Sequence, residues 1–272
     1  MTGKLIKYEI RSSMRLIGVI WAALVAAALL LSFTSGALAR IIPDSFTETS
    51  AFGLIEFISG FLFVGIFIAL IVATVMIVIV RFYRGLLGDE GYLMHTLPVK
   101  PWQLITSKGV VSAAVVLVSI LVAVVSMLIL AGFNAFVDVA DFFAELGKML
   151  KEEPKFILAG IEMLIVLVLS VLKSIYQIYA SLSIGQLSGK HRILLALGAY
   201  IGISVILSIL GVIMMSIGEE LGIVDWFVGL GDRSVFPMTQ AGIVGMFLLT
   251  VVQLAVFHVI TERILSKKLN LL

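Results

Sequence analysis

The chain has 272 residues, 61% hydrophobic and 13% charged, with a formal net charge of +2 and a mean hydropathy of +1.19. A soluble domain carries about 25% charged residues, so this is the composition of a polytopic, all-α membrane protein. With no cysteine there is no disulfide framework, thiolate nucleophile or cysteine metal site; His95, His191 and His258 stand at no metal-binding spacing, and a balance of +2 gives no reason to expect nucleic acid as a partner.

The chain opens with Lys4, Lys7, Arg11 and Arg15 at steps of three and four, on one helical face, with Ile6, Ile10, Met14 and Ile17 mostly opposite. That pattern predicts a helix over 1–15 lying in the membrane interface with its cations toward lipid headgroups, although a plain topogenic basic tail also accounts for it. The apolar run that follows ends in Ala37-Leu38-Ala39, like a signal peptide with its cleavage site. The run is longer than the usual ~7–15 residues, so it reads as a retained span.

A bilayer core about 30 Å thick takes about 20 apolar residues per helix. The runs that qualify are Leu16 to Ala39, Phe57 to Val80, Val110 to Phe133, Phe156 to Tyr179, Ile193 to Ile217 and Ala241 to Ile260, which makes about six spans in a single transmembrane domain covering 1–272. With the N-terminus inside, 13 of the 19 Lys and Arg (Lys4, Lys7, Arg11, Arg15, Arg81, Arg84, Lys100, Lys108, Lys190, Arg192, Arg263, Lys267, Lys268) fall in inner segments. Five (Arg40, Lys148, Lys151, Lys155, Arg233) fall outside, and Lys173 lies within a span. The bias of basic residues toward the cytoplasm predicts both termini there.

Between the second and third runs, Arg81 to Lys108 reads RFYRGLLGDEGYLMHTLPVKPWQLITSK. Asp89 can cap a short helix with Glu90 in its first turn. Tyr92, Leu93 and Leu97 give that helix an apolar edge, and Pro98 ends it by driving Leu97 out of the helical region. Pro101 suits the first turn of a second helix, so the expected form is helix, kink, helix, presented as a docking surface.

The run DEGYLMHTLPVKPWQLITSK, Asp89 to Lys108, resembles the signature of bacterial type-2 ABC exporter permeases, in which DEGYL, TLPV, a Leu and a Ser-Lys pair recur between the second and third membrane helices. SIGQLSGKHRIL, Ser183 to Leu194, is a weaker echo in the second half. The resemblance implies a coupling helix seated in a cleft of a separate ABC ATPase subunit. Asp89, Glu90, Gly91, Tyr92 and Leu93 would form it here, with Thr96, Leu97 and Pro98 fixing its exit. It further implies an elbow helix before the first span, a second permease subunit as homo- or heterodimer, the bacterial cytoplasmic membrane as location, and ATP and magnesium on the partner ATPase with no cofactor in this chain.

Two segments on the outer side carry structure of their own. NAFVDVADFFAELGKMLKEEPK has Phe136, Val139, Phe143, Leu146 and Leu150 at helical spacing and predicts an amphipathic surface helix. GEELGIVDWFVGLGDRSVFPMTQ, 218–240, is apolar enough for re-entrant half-helices, which the resembling family has at this point; an interfacial loop held by Trp226 and Phe227 fits equally.

Glu162 and Lys173 are the charges inside a predicted span, each costing about 2.5–3.5 kcal/mol on insertion scales. Eleven residues is close to three turns, so they share a face with Ser170 and Gln177, about 16 Å apart. Either Glu162, Lys173 and Gln177 line a translocation path between subunits, or Lys173 reaches the inner interface beside Tyr176 and Tyr179 while Glu162 meets outer headgroups or a neighbouring helix. Gly198 and Gly202 on the fifth span permit close helix approach.

No hydrolytic centre is legible. Gly185 to His191 has three residues between its glycines where a phosphate loop has four, and His191 stands where Ser or Thr would hold magnesium. There is no H-E-x-x-H and no G-x-S-x-G. The resemblance of Asp89 to Lys108 implies the non-catalytic membrane subunit of an ATP-driven exporter. The alternative is an ATP-independent membrane protein, such as a secondary carrier or an immunity factor acting alone; a carrier's inverted repeats and several midplane ionisable groups are not evident.

Overall fold

The structure, a computed structural model, describes residues 2–33, 50–88, 101–188, 191–233 and 235–267. Among them are eight α-helices and no strand: α1 (Thr2–Ser32), α2 (Ser50–Phe82), α3 (Pro101–Ala131), α4 (Phe133–Glu152), α5 (Lys155–Gly185), α6 (Arg192–Glu220), α7 (Ile223–Arg233) and α8 (Val235–Lys267). Five stretches are long and apolar enough to cross a membrane: Phe57–Leu87, Trp102–Ala131, Lys155–Gly185, Arg192–Glu220 and Val235–Ser266. The apolar part of α1 within the described residues, Ile17–Ser32, is shorter than the five; the rest of the expected first span, beyond Phe33, lies outside the described residues. The chain is thus a multi-pass, all-α membrane protein. Side chains such as Ile193 (79% exposed) and Phe61 (74% exposed) lie uncovered on these helices, as apolar side chains of a membrane-crossing helix can when lipid is the solvent.

Two expectations about element boundaries change. The basic segment carrying Lys4, Lys7, Arg11 and Arg15 is not a separate elbow, because α1 runs unbroken from Thr2 to Ser32. It contains no proline, and nothing in it forces a kink between the basic half and the apolar half. Pro101 does open a helix, but that helix is the third span itself, continuous to Ala131. The second span likewise continues past Val80 to Phe82 and then through a π-helical turn, Tyr83–Leu87. A helix extends where its backbone bonds can close, not only where its side chains are apolar.

The chain divides into two compact units, one of Gly3–Val78 with Ala114–Met149, the other of Ile79–Ala113 with Leu150–Leu272. In the first, Ile17 packs with Ile77 and Val115, and Leu24 to Leu31 pack with Leu70 and Phe63, with Val122 to Leu130 against them. Rising numbers on α1 and α3 meet falling numbers on α2, so α1 runs parallel to α3 and antiparallel to α2. The Trp21 Nε1–H donates to Ser119 Oγ at 3.0 Å. Thr74 spends its single proton on the Leu70 carbonyl at 2.7 Å, so Ser119 supplies the proton between its hydroxyl and that of Thr74, 3.2 Å apart. One polar knot therefore ties three apolar helices. The expected amphipathic helix is present as α4, with Phe136, Phe142 and Phe143 exposed.

In the second unit α5 packs on both α6 and α8. Phe156 meets Phe236 edge-on at 5.5 Å, Glu162 meets Gln240, and Tyr176 meets His258 at 5.3 Å. The partners stay close to eighty residues apart along the whole contact, so α5 and α8 run parallel. Gln177 Nε2–H donates to Ser204 Oγ at 2.9 Å across the short connection 186–191, which makes α5 and α6 an antiparallel hairpin. Within 218–240 the chain turns at Gly222, whose φ of +68° is the left-handed conformation that favours glycine. It then forms the single short helix α7, which packs on α6 and α8, with the ring tip of Phe227 beside Gly242.

Candidate functional site

Every sequence-predicted coupling residue, Asp89, Glu90, Gly91, Tyr92, Leu93, Thr96, Leu97 and Pro98, lies outside the described residues. The base from which that loop departs and to which it returns is described, and it falls wholly within the second unit. On the departing side, the π-helical turn Tyr83–Leu87 is closed by Gly88 N–H donating to the Tyr83 carbonyl at 2.7 Å, and Gly88 then leaves in an extended conformation. Isolated π turns often mark functional positions. Gly85, Leu86 and Leu87 of this turn are buried.

On the returning side, Lys108 is only 5% exposed, and its Nζ and Cε fill the space that a side chain at residue 85 would need. The ammonium thus lies at the carbonyl end of the helix formed by α2 and its π turn, where unsatisfied carbonyls and the negative end of the helix dipole favour a cation. The Ser-Lys pair of the sequence motif, Ser107 and Lys108, is therefore buried on the base and is not part of an exposed docking surface.

The two sides are clamped by the end of α5. Tyr179, with 0% exposure, stacks on Phe82 with ring centroids 4.0 Å apart and planes 13° from parallel, and its hydroxyl is 2.9 Å from Ser112 Oγ. Tyr176 lies against Gly109, where an added Cβ would stand 2.9 Å from the phenol. Its ring also meets Tyr179 and, on α8, His258, while His258 Nε2 is 4.0 Å from Glu262. Placing Tyr176 and Tyr179 at the lipid interface beside Lys173 is thus corrected: both are buried between helices, because their hydroxyls find partners there.

The polar face read on α5 is divided between two neighbours. Gln177 is buried against Ser204 on α6, whereas Glu162 Oε2 accepts a 2.6 Å hydrogen bond from Gln240 Nε2–H on α8. Glu162 thus meets a neighbouring helix, one of the situations expected for it. Lys173, half-buried between these contacts, makes no ion pair among the described residues. Beside Glu162 a cleft of about 180 Å³ is lined by Ile165 and Val166 on α5 and by Ile243, Val244 and Phe247 on α8. Gly198 and Gly202 have no neighbour within 4 Å of an added Cβ, so no described helix uses that approach.

Sequence reading missed Gln240 because it followed one helix face at a time, and no spacing rule links positions on different helices. It missed the clamp for a related reason. Phe82, Ser112 and Tyr179 are unremarkable where they stand, and only helix pairing brings them together. Gly85 and Gly109, each beside a basic or polar inner segment, were the available signal. Comparison of the chain with models of protein families, with curated proteins and with solved structures returned no match.

Proposed function

We propose that the chain is the membrane subunit of an ATP-driven exporter of the type-2 ABC class, working as one of two permease subunits in the bacterial cytoplasmic membrane with both termini inside. The observation that carries the reading is the run Asp89 to Lys108, whose order of residues resembles that family's coupling segment and which leads from α2 into the start of α3. A packed base under the loop supports it, since a docked loop transmits force only if its ends are held. ATP and magnesium belong to the partner ATPase. Closure of the ATPase pair displaces the loop, and the clamp of Phe82, Tyr179 and Lys108 passes that displacement to α2, α3 and α5. α4 and α7 face the exterior in this arrangement.

The test is purification of the tagged full chain from its native membranes in mild detergent. An ABC ATPase subunit is expected to co-purify with the wild type, and Tyr92→Ala is expected to strip it away while the permease stays abundant and monodisperse. Buried aromatic and aliphatic anchors carry most of the energy of a small interface, so the loss should exceed that from Glu90→Ala. Absence of any ATPase from the wild-type complex, with the chain transporting alone, favours an ATP-independent carrier and overturns the proposal. Loss of folded permease in proportion to the ATPase makes Tyr92 a packing residue and withdraws the coupling site.

A further inference from the structure

Glu162 is a carboxylate on a membrane-crossing helix whose only described polar partner is neutral. The carboxylate can only accept when ionised, so the Gln240 amide must turn its N–H toward Glu162. That orientation leaves Gln240 Oε1 as a buried acceptor without a partner among the described residues. Two acceptors, Glu162 Oε1 and Gln240 Oε1, thus remain unmatched on one hydrogen-bonded pair. The cleft that Glu162 lines is otherwise apolar. At about 180 Å³ it is smaller than the ~300–1,000 Å³ sites that enclose a whole ligand. It has room for a small polar group and the first carbons of a chain.

We propose that this cleft binds a primary ammonium group carried on an alkyl chain, with the ammonium donating to the Glu162 carboxylate, which Gln240 orients, and the chain lying against Val166, Val244 and Phe247. An ammonium supplies three donors and cancels the carboxylate charge, which a water or an alcohol cannot do. A hard divalent cation is a poor fit, because it asks for six or more oxygens and the cleft offers one carboxylate among apolar side chains. The inference rests on the cleft alone and does not depend on an ATPase partner. The same chemistry has two sources, the headgroup of phosphatidylethanolamine or a free amphipathic amine.

The experiment uses the full chain in nanodiscs of phosphatidylcholine and phosphatidylglycerol only, with a photoactivatable dodecylamine whose crosslinks are mapped by mass spectrometry. Saturable labelling is expected on 162–166 and 243–247, displaced by dodecylamine and not by dodecanol. Glu162→Gln should weaken it about tenfold or more, the value of a charge-assisted hydrogen bond. Gln240→Leu, which removes the hydrogen bond that orients the Glu162 carboxylate, should also weaken it, and provides a second reading should the first variant fold poorly. Adding phosphatidylethanolamine to the discs separates the sources: suppression of labelling assigns the site to the lipid, and persistence assigns it to a free amine. Unsaturable labelling, equal competition by dodecanol, or unchanged labelling in Glu162→Gln overturns the proposal.

Discussion

Replacing Tyr179 tests the base of the loop most directly, because its contacts with Phe82 and with Ser112 can be removed separately. Tyr179→Phe keeps the ring on Phe82 and deletes the hydroxyl, leaving Ser112 Oγ buried without its partner at 2.9 Å. In soluble proteins such an orphan costs about 1–3 kcal/mol. Hydrogen bonds between membrane helices average about 0.6 kcal/mol, with about 1.7 the largest, and Ser112 can turn to a carbonyl of its own helix, so the lower range applies. Tyr179→Ala also removes a fully buried ring whose stacking partner lies 4.0 Å away. The cavity brings the cost to about 3–5 kcal/mol, of which the aromatic pair is about 0.5–1.5. The assay is equilibrium unfolding in mixed micelles for Tyr179→Phe, Tyr179→Ala, Ser112→Ala and the double variant Tyr179→Phe/Ser112→Ala. The alanine variant should cost at least about twice as much as the phenylalanine variant, and the cycle should show coupling of about 0.6–1.7 kcal/mol. Equal costs for the two Tyr179 variants would show that the ring is not packed, and zero coupling would remove the hydrogen bond.

In the first unit, Ser119→Ala should destabilise by about 0.6–1.7 kcal/mol per interhelical bond lost, and Trp21→Phe in that background should then cost less than it does alone; additive costs would contradict the shared hydroxyl. Gly109→Val should displace the Tyr176 ring and cost about 1–3 kcal/mol by overpacking, read as a lowered unfolding temperature that Tyr176→Ala partly restores. On the proposed coupling reading, Pro98→Ala should leave ATPase binding intact while transport falls; equal loss of binding and transport would refute that. Impermeant maleimide added to intact cells should label cysteines placed at Lys151 and Asp232 but not at Lys100 or Lys268.

Much of the architecture was legible because lipid imposes one rule, that a crossing segment must be a long apolar helix. Five such runs read from composition became five long helices, and α4 followed its stripe of Phe136, Val139 and Phe143. What failed was the assumption that helices stop where polarity begins. Arg81 and Lys108 were read as loop, yet each stands in a helix, and Lys108 is buried on Gly85, where the helix end compensates its charge. Polarity says which side chains leave lipid, whereas helix length is decided by backbone bonds and packing. The same gap explains Tyr176 and Tyr179: their composition suits an interface, and their burial depends on Gly109 and Phe82, which lie on other helices.

The helix pairings constrain the crossing pattern by a route independent of the basic residues. In the second unit α5 and α8 run parallel and α5 and α6 antiparallel, so α6 returns the chain to the side where α5 began. The 11 residues of α7 span about 16 Å at 1.5 Å per residue, about half of a ~30 Å core. A segment that short cannot cross on its own, so α7 and the start of α8 share a side with the start of α5. Lys151, just before α5, and Asp232, at the end of α7, are therefore on one side whichever way the chain is inserted, and the basic residues add only which side that is. Labelling of both from inside would reverse the orientation and leave the pairings intact. Labelling of one from each side would require α6 not to cross, which its 29 apolar-rich residues and the hydrogen bond that Ser204 accepts from Gln177 argue against, and would refute the parallel arrangement of α5 and α8.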